Sequence, residues 1–196
     1  MKRAFDLFFG ALGLVVLTPI FIGIAVLIKL DSFGPIFYRG VRVGQHGRLF
    51  RIFKFRTMRP DAELVGSTST GKNDPRVTRV GRWLRPLKLD ELPQLLNVVR
   101  GEMSIVGPRP EVEEHTSAYT EEEKVILSVL PGITDYASIR FFDLNDLVGS
   151  EDPRRVFIEK YRAEKNTLRV AYVRNQSFWT DFRIIFLTFA RIVSRR

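Results

Sequence analysis

Cysteine is absent from the 196 residues of this chain, and histidine occurs twice, at His46 and His115. Without thiols there is no disulfide, no thiolate nucleophile, no Cys-ligated zinc and no iron–sulfur cluster. Two histidines do not furnish a multi-histidine metal centre. A metal here would be a hard cation held by carboxylates, such as Mg²⁺. Low-complexity composition is lacking as well. Hydrophobic residues make up 45% and aromatics 12%, which excludes a disordered chain, and the length suits one domain with room for a terminal appendage. Negative charge is the scarcer sign. Thirty-one Lys and Arg stand against 22 Asp and Glu, a net charge of +9. Such an excess calls for an anionic partner: nucleic acid, an acidic membrane face or phosphorylated substrates.

Charge of either sign is missing from Leu7 to Ile28, which reads LFFGALGLVVLTPIFIGIAVLI. As a helix this run would reach roughly 33 Å, about the thickness of a bilayer core. It is too long for a signal-peptide apolar region, and no small-residue cleavage site follows. It is apolar on every face, unlike an ordinary core helix. Membrane insertion is the better reading, with membrane lipid rather than nucleic acid as the anionic surface. Thr18-Pro19 sits mid-run, where proline removes a backbone donor and clashes with the carbonyl of Val15. The Thr18 hydroxyl is the expected local partner for a backbone group freed there. Lys2 and Arg3 favour a cytoplasmic N-terminus. From Lys29 to Arg59, eight basic residues face one acid, Asp31, so that stretch is also expected on the cytoplasmic side. A helix bent at Pro19 that enters and leaves by the same leaflet satisfies both ends; a true span is the alternative.

The expected fold class is α+β: a mainly helical core with a β-hairpin, an N-terminal re-entrant membrane helix over residues 1–30, and amphipathic interfacial helices. The body, residues 31–196, shows no repeat and no second domain. Pro35–Tyr38 and Leu49–Phe55 flank Gly44-Gln-His-Gly47 and read as the hairpin. Glu63–Asp74 is polar and glycine-bearing, a loop. Glu111–Glu123 carries six glutamates and reads as a solvated face. Near the C-terminus, Phe178, Phe182, Ile185, Phe186, Phe189, Ile192 and Val193 fall on one helical face beside Trp179, flanked by arginines up to Arg195 and Arg196. That pattern suits either the headgroup plane of a membrane or a core-packing terminal helix.

Leu89–Gly101 (LDELPQLLNVVRG) reads as one short helix, with Pro93 in its first turn and Gly101 as its stop. Asp90 and Glu91 then lie at its N-terminus, where the macrodipole favours ionised carboxylates and phosphate alike. A merely helix-capping pair is the plainer reading. Arg76, Arg79, Arg82 and Arg85 precede the pair, and Arg109 follows it.

These residues carry a resemblance. KFRTM (Lys54–Met58), DPRVTRVGRWLR (Asp74–Arg85), LDELPQLLNVVRGEMSIVGPRPE (Leu89–Glu111), PGIT (Pro131–Thr134) and RNQSFWTDFRII (Arg174–Ile185) resemble the bacterial sugar transferase family, the monotopic phosphoglycosyl transferases, in their small catalytic-core form. The resemblance implies an enzyme of the bacterial inner membrane, its catalytic domain on the cytoplasmic face. Asp90 would attack the β-phosphorus of a UDP-sugar, release UMP, and pass the phosphosugar to undecaprenyl phosphate in glycoconjugate biosynthesis. Glu91 would hold Mg²⁺. The expected substrate-binding residues are Lys54, Arg56, Arg76, Arg79, Arg85 and Arg109, with Lys54, Arg85 and Arg109 on phosphate. A homo-oligomer stays open, as does a non-catalytic basic scaffold on anionic lipid. Two departures stand out: the family's PGITG-W-A-Q reads Pro131-Gly-Ile-Thr-Asp135-Tyr-Ala-Ser138 here, and a family aspartate before Tyr172 is replaced by Arg169.

Overall fold

The computed structural model describes residues 1–62, 74–148 and 152–194. The loop expected over Glu63–Asp74 lies outside these residues except for Asp74, as do Arg195 and Arg196.

A single helix, α1 (Lys2–Asp31), contains the whole apolar run and continues through Pro19. It is long and apolar enough to cross a membrane by length and composition. The Thr18 hydroxyl donates to the Leu14 carbonyl at 2.7 Å, one residue before the Val15 carbonyl that proline deprives of its donor. Such back-bonding bends helices. Most of α1 presents apolar side chains outward, Phe8, Val15, Val16 and Ile22 among them.

Both ends of α1 are tied to one body. At the start, buried Asp6 accepts from the Ser104 hydroxyl at 2.8 Å and the Ile105 amide at 3.0 Å. Lys2 donates to the Val106 carbonyl and pairs with Asp181, while Arg3 donates to the Val98 carbonyl at 2.7 Å. Gly10 allows this approach, since a Cβ there would lie 3.2 Å from Val98. At the far end, Ile24 and Ile28 pack on Phe55 and Leu84, and Asp31 accepts from the Val80 amide at 2.9 Å.

The body is mixed helix and sheet. Antiparallel β1 (Phe37–Tyr38) and β4 (Lys54–Phe55) enclose antiparallel β2 (Val41–Val43) and β3 (Leu49–Arg51). The expected hairpin is therefore present, but it splits into two short ladders. A parallel pair, β5 (Ser104–Val106) and β6 (Gly132–Thr134), was not legible in the sequence. Its strands are three residues long, below the length at which periodicity is informative. Gly132 lets them meet, because a Cβ there would fall 2.0 Å from the Gly107 nitrogen.

Short helices α2 (Arg79–Leu84), α3 (Leu95–Arg100), α4 (Glu113–Thr116), α5 (Tyr136–Arg140), α6 (Leu144–Val148) and α7 (Pro153–Val156) lead to α8 (Arg162–Arg174) and α9 (Phe178–Val193). In α9 the apolar stripe faces outward. Phe178, Phe182, Phe186, Phe189 and Val193 are each more than half exposed, whereas Ile184 and Asp181 face the body. Core packing thus accounts for the opposite face of α9 and for Ile185 at the edge of the stripe, not for its five outward residues.

Candidate active site

The segment expected as one helix divides in two. A 3₁₀ turn over Leu89–Gln94 precedes α3. Pro93 has no N–H to give the carbonyl four residues back, so the turn tightens. Gly101 ends α3 in the left-handed conformation, φ 84°, as a C-terminal stop requires. Asp90 and Glu91 consequently lie in the 3₁₀ turn rather than in the first turn of an α-helix. Lys88, just before them, is itself left-handed at φ 55°. That conformation costs a residue with a Cβ roughly 1–3 kcal/mol, strain that concentrates at functional sites.

Asn97 anchors this region. Its side chain is fully buried, accepts from the Phe53 amide at 2.8 Å, and donates to the Arg51 carbonyl at 3.0 Å and to Glu102 at 2.6 Å. It therefore fixes α3, and the acidic pair before it, against the strand that carries Lys54. Lys54 reaches Glu91 at 3.2 Å. Arg109, in the loop after β5, grips both oxygens of the same carboxylate, with Nη1 at 2.6 Å from Oε2 and Nη2 on Oε1.

Burial alone would raise the Glu91 carboxyl, but Arg109 and Lys54 outweigh it and hold Glu91 well below the usual carboxylate range. Asp90 behaves oppositely. Burial, then the charge of Glu91, pushes its carboxyl up against the pull of Lys54, Arg85 and Lys88. Glu91 thus owes its ionised form to Arg109 and Lys54 rather than to a helix macrodipole, while Asp90 titrates higher than an ordinary aspartate. Lys54 is pushed down, because burial exceeds the attraction of Glu91. One oxygen of Asp90 is buried without a hydrogen-bond partner among the described residues, and so is the Gln94 amide. Among the described residues no group of three or more His, Asp or Glu could hold a metal.

The other expected anion-binding residues are distributed differently. Arg85 exerts its charge on Asp90. Arg56 is buried, with its guanidinium on the Ser32 and Phe33 carbonyls at 2.7 Å each. Arg76 forks onto Asp74, and Arg79 is exposed at the start of α2. Lys54, Glu91 and Arg109 are in direct contact; Arg56, Arg76 and Arg79 are held elsewhere.

Three residues escaped the sequence reading. Asn97 was signalled only as a lone amide in an apolar run, and Gln94 not at all. Glu111, assigned above to a solvated face, is largely enclosed, its side chain 10% exposed. It pairs with Arg169 at 2.6 Å and Lys165 at 3.7 Å, with His115 at 3.4 Å.

The family model for bacterial sugar transferases matches residues 1–195. The undecaprenyl-phosphate glucose phosphotransferase of Komagataeibacter xylinus is 42% identical over 100% of this chain and 36% of its own length. The UDP-N-acetylgalactosamine-undecaprenyl-phosphate N-acetylgalactosaminephosphotransferase of Aeromonas hydrophila is 35% identical over 99% of this chain and 44% of its own length. This chain thus spans less than half of those longer relatives. The exopolysaccharide production protein PSS of Rhizobium leguminosarum is 39% identical over 100% of this chain and 96% of the relative. The chain, with Glu91 of its acidic pair clamped by Lys54 and Arg109, belongs to the bacterial sugar transferase family.

Proposed function

We propose that this chain is a phosphoglycosyl transferase that moves a phosphosugar from a UDP-sugar to undecaprenyl phosphate at the cytoplasmic face of the bacterial inner membrane. The observation that carries the reading is the division of the acidic pair: Glu91 is neutralised by two cations, whereas Asp90 keeps a buried oxygen with no hydrogen-bond partner among the described residues. The lone pairs of that oxygen are committed to no donor there. In the first step it attacks the β-phosphorus of the UDP-sugar. The bond from that phosphorus to the bridging oxygen breaks, and UMP leaves with the oxygen, its charge offset by Lys54, Arg85 and Arg109. In the second step a phosphate oxygen of undecaprenyl phosphate attacks the same phosphorus and Asp90 departs as the free carboxylate.

Two adjacent carboxylates are the donor type for a hard divalent cation shared with a diphosphate, and Glu91 would reach one by giving up part of its contact with Arg109 and Lys54. Mg²⁺ commonly takes one or two carboxylates and completes its shell with substrate phosphates and water. Glu91, helped by Asp90, would hold it, and it would spread the diphosphate charge.

Support for a re-entrant α1 comes from its two ends. At about 45 Å a straight helix of this length exceeds the apolar core of a bilayer, yet Lys2, Arg3 and Asp6 at one end and Asp31 at the other bond to the same body. A body on one side of the membrane accommodates both ends only if α1 returns to its entry leaflet. The outward stripe of α9 then offers a second apolar contact for the same leaflet.

The deciding experiment incubates the purified chain with Mg²⁺, undecaprenyl phosphate and a panel of UDP-sugars, and measures UMP. Release of UMP with formation of a polyprenyl diphosphate sugar is expected. No release from any donor, with retained binding to anionic vesicles, would instead favour the scaffold.

A further inference from the structure

The two departures from the family pattern meet each other in space. Arg169 of α8 is 1% exposed. A guanidinium stays charged, so its burial demands carboxylates. Two elements outside α8 supply them. Glu111 Oε1 accepts a hydrogen bond from Nη1 at 2.6 Å, and Asp135 Oδ2 forms a longer ion pair, 3.5 Å from Nε and without a hydrogen bond. Asp135 stands between β6 and α5, where its Oδ1 caps the Ser138 amide. Its Oδ2, the oxygen facing Arg169, also accepts from the Arg109 backbone amide at 3.1 Å. Glu111 follows Arg109 by two residues. The loop bearing Arg109 is thus gripped at Arg109 itself and at Glu111, and both grips converge on one buried cation.

We propose that Arg169 is a positioning residue: through Asp135 and Glu111 it fixes the Gly107–Glu111 loop so that Arg109 meets Glu91. Its catalytic consequence rests on the phosphoglycosyl transferase reading above. Arg109 has the chemistry to be set this way. Its guanidinium touches the site, while its backbone amide is the point at which the buried cluster takes hold. Substituting Arg169 alone by an apolar residue would leave Asp135 without its cation and Glu111 with Lys165 alone, at 3.7 Å, and endanger folding. Arg169→Lys keeps the charge but replaces a fork with a point charge, and Asp135→Asn keeps the shape but has one acceptor oxygen for two amides.

Hydrogen exchange on the full chain in lipid nanodiscs is the first readout. In Arg169→Lys and in Asp135→Asn, the amides of Gly107, Arg109 and Glu111 are expected to exchange about tenfold faster, while α3 and the β2–β3 ladder keep their protection. No acceleration in the loop, or equal acceleration throughout the chain, overturns the proposal. The second readout is a double-mutant cycle on UMP release from UDP-glucose, or from whichever UDP-sugar the parent accepts. Arg169→Lys is expected to lower kcat about tenfold in the parent and less than about twofold in an Arg109→Lys background, because the second substitution removes the group through which the first acts. Equal losses in the two backgrounds overturn it. If the parent turns over no UDP-sugar, the catalytic reading falls, and the exchange pattern alone decides whether Arg169 fixes this loop.

Discussion

Arg109 spans both oxygens of the Glu91 carboxylate, and Asp90 beside it has one buried oxygen that meets no donor among the described residues. Neighbouring acids in one tight turn are therefore shifted in opposite directions, Glu91 down and Asp90 up. Where two titratable groups are driven apart in this way, their roles differ. In the proposed reaction Glu91 is the fixed anion and Asp90 the reactive carboxylate.

Asp90→Asn should accordingly abolish turnover, lowering UMP release by at least about a thousandfold, while leaving membrane insertion and thermal unfolding unchanged. Intact-mass measurement after incubation with the UDP-sugar donor should show a phosphosugar adduct on the parent chain and none on the variant. An adduct that persists in Asp90→Asn would assign the nucleophile elsewhere. Glu91→Gln should keep residual turnover and require more Mg²⁺ for half-maximal rate; an unchanged Mg²⁺ titration would remove Glu91 from the metal site.

The raised pKa of Asp90 gives a pH test with a definite sign. Burial is the foremost cause and the charge of Glu91 the next, with Lys54 and Arg85 pulling the other way. A nucleophilic carboxylate must be ionised, so the acid limb of kcat/KM follows this group. Lys54→Met deletes a charge that favours ionisation and should move the limb to higher pH. Glu91→Gln deletes a charge that opposes it and should move the limb to lower pH. Each displacement should be about one pH unit, the effect of a neighbouring charge at intermediate dielectric. Two displacements of the same sign would contradict the assignment.

The order of the site was readable where chemistry and chain geometry coincide. Asp90 and Glu91 stood out as an acidic pair with Arg109 and other arginines near it in the chain, Lys54 joined them only through the family resemblance, and Gly101 marked the end of α3. What could not be read was the set of contacts that depends on tertiary placement. Glu111 looked solvated among glutamates because nothing local indicates that Arg169, 58 residues later, would enclose it. The stripe of α9 illustrates the same boundary: its period was plain, but its outward orientation follows from Asp181 turning inward to Lys2 and Tyr172.

Asn97 is the load point between α3 and the strand bearing Lys54, so its truncation tests whether packing governs the site. Asn97→Ala removes three buried hydrogen bonds and leaves the Phe53 amide without its acceptor. Such an orphaned buried donor and its lost partners should destabilise the fold by about 2–4 kcal/mol, measurable by thermal unfolding in detergent. UMP release should fall as well at temperatures where the variant remains folded. A stable variant with full activity would show that Asn97 does not hold the site together.

Pro19 tests the path of α1, and here magnitudes decide between straightening and anchoring. Pro19→Leu restores an N–H for the Val15 carbonyl and removes the ring clash, a gain for the continuous helix of about 3 kcal/mol. Sending the N-terminus across the bilayer would break the charge-assisted bonds of Lys2 and Arg3 and strip buried Asp6 of both its donors. At roughly 1.5–3 kcal/mol for each bond to a charged group, these anchors together exceed the gain. Pro19→Leu alone should therefore leave both ends of α1 on the cytoplasmic side, though with the helix at a changed depth and with reduced UMP release. Combining it with Asp6→Ala and Lys2→Met removes most of the restraint and should expose the N-terminus outside. A cysteine inserted after Met1, where the native chain offers no competing thiol, can be labelled on intact cells with an impermeant reagent. Labelling is expected for the triple variant and not for Pro19→Leu. Labelling of the protein with Pro19 intact would establish a spanning helix from the outset and end the re-entrant reading.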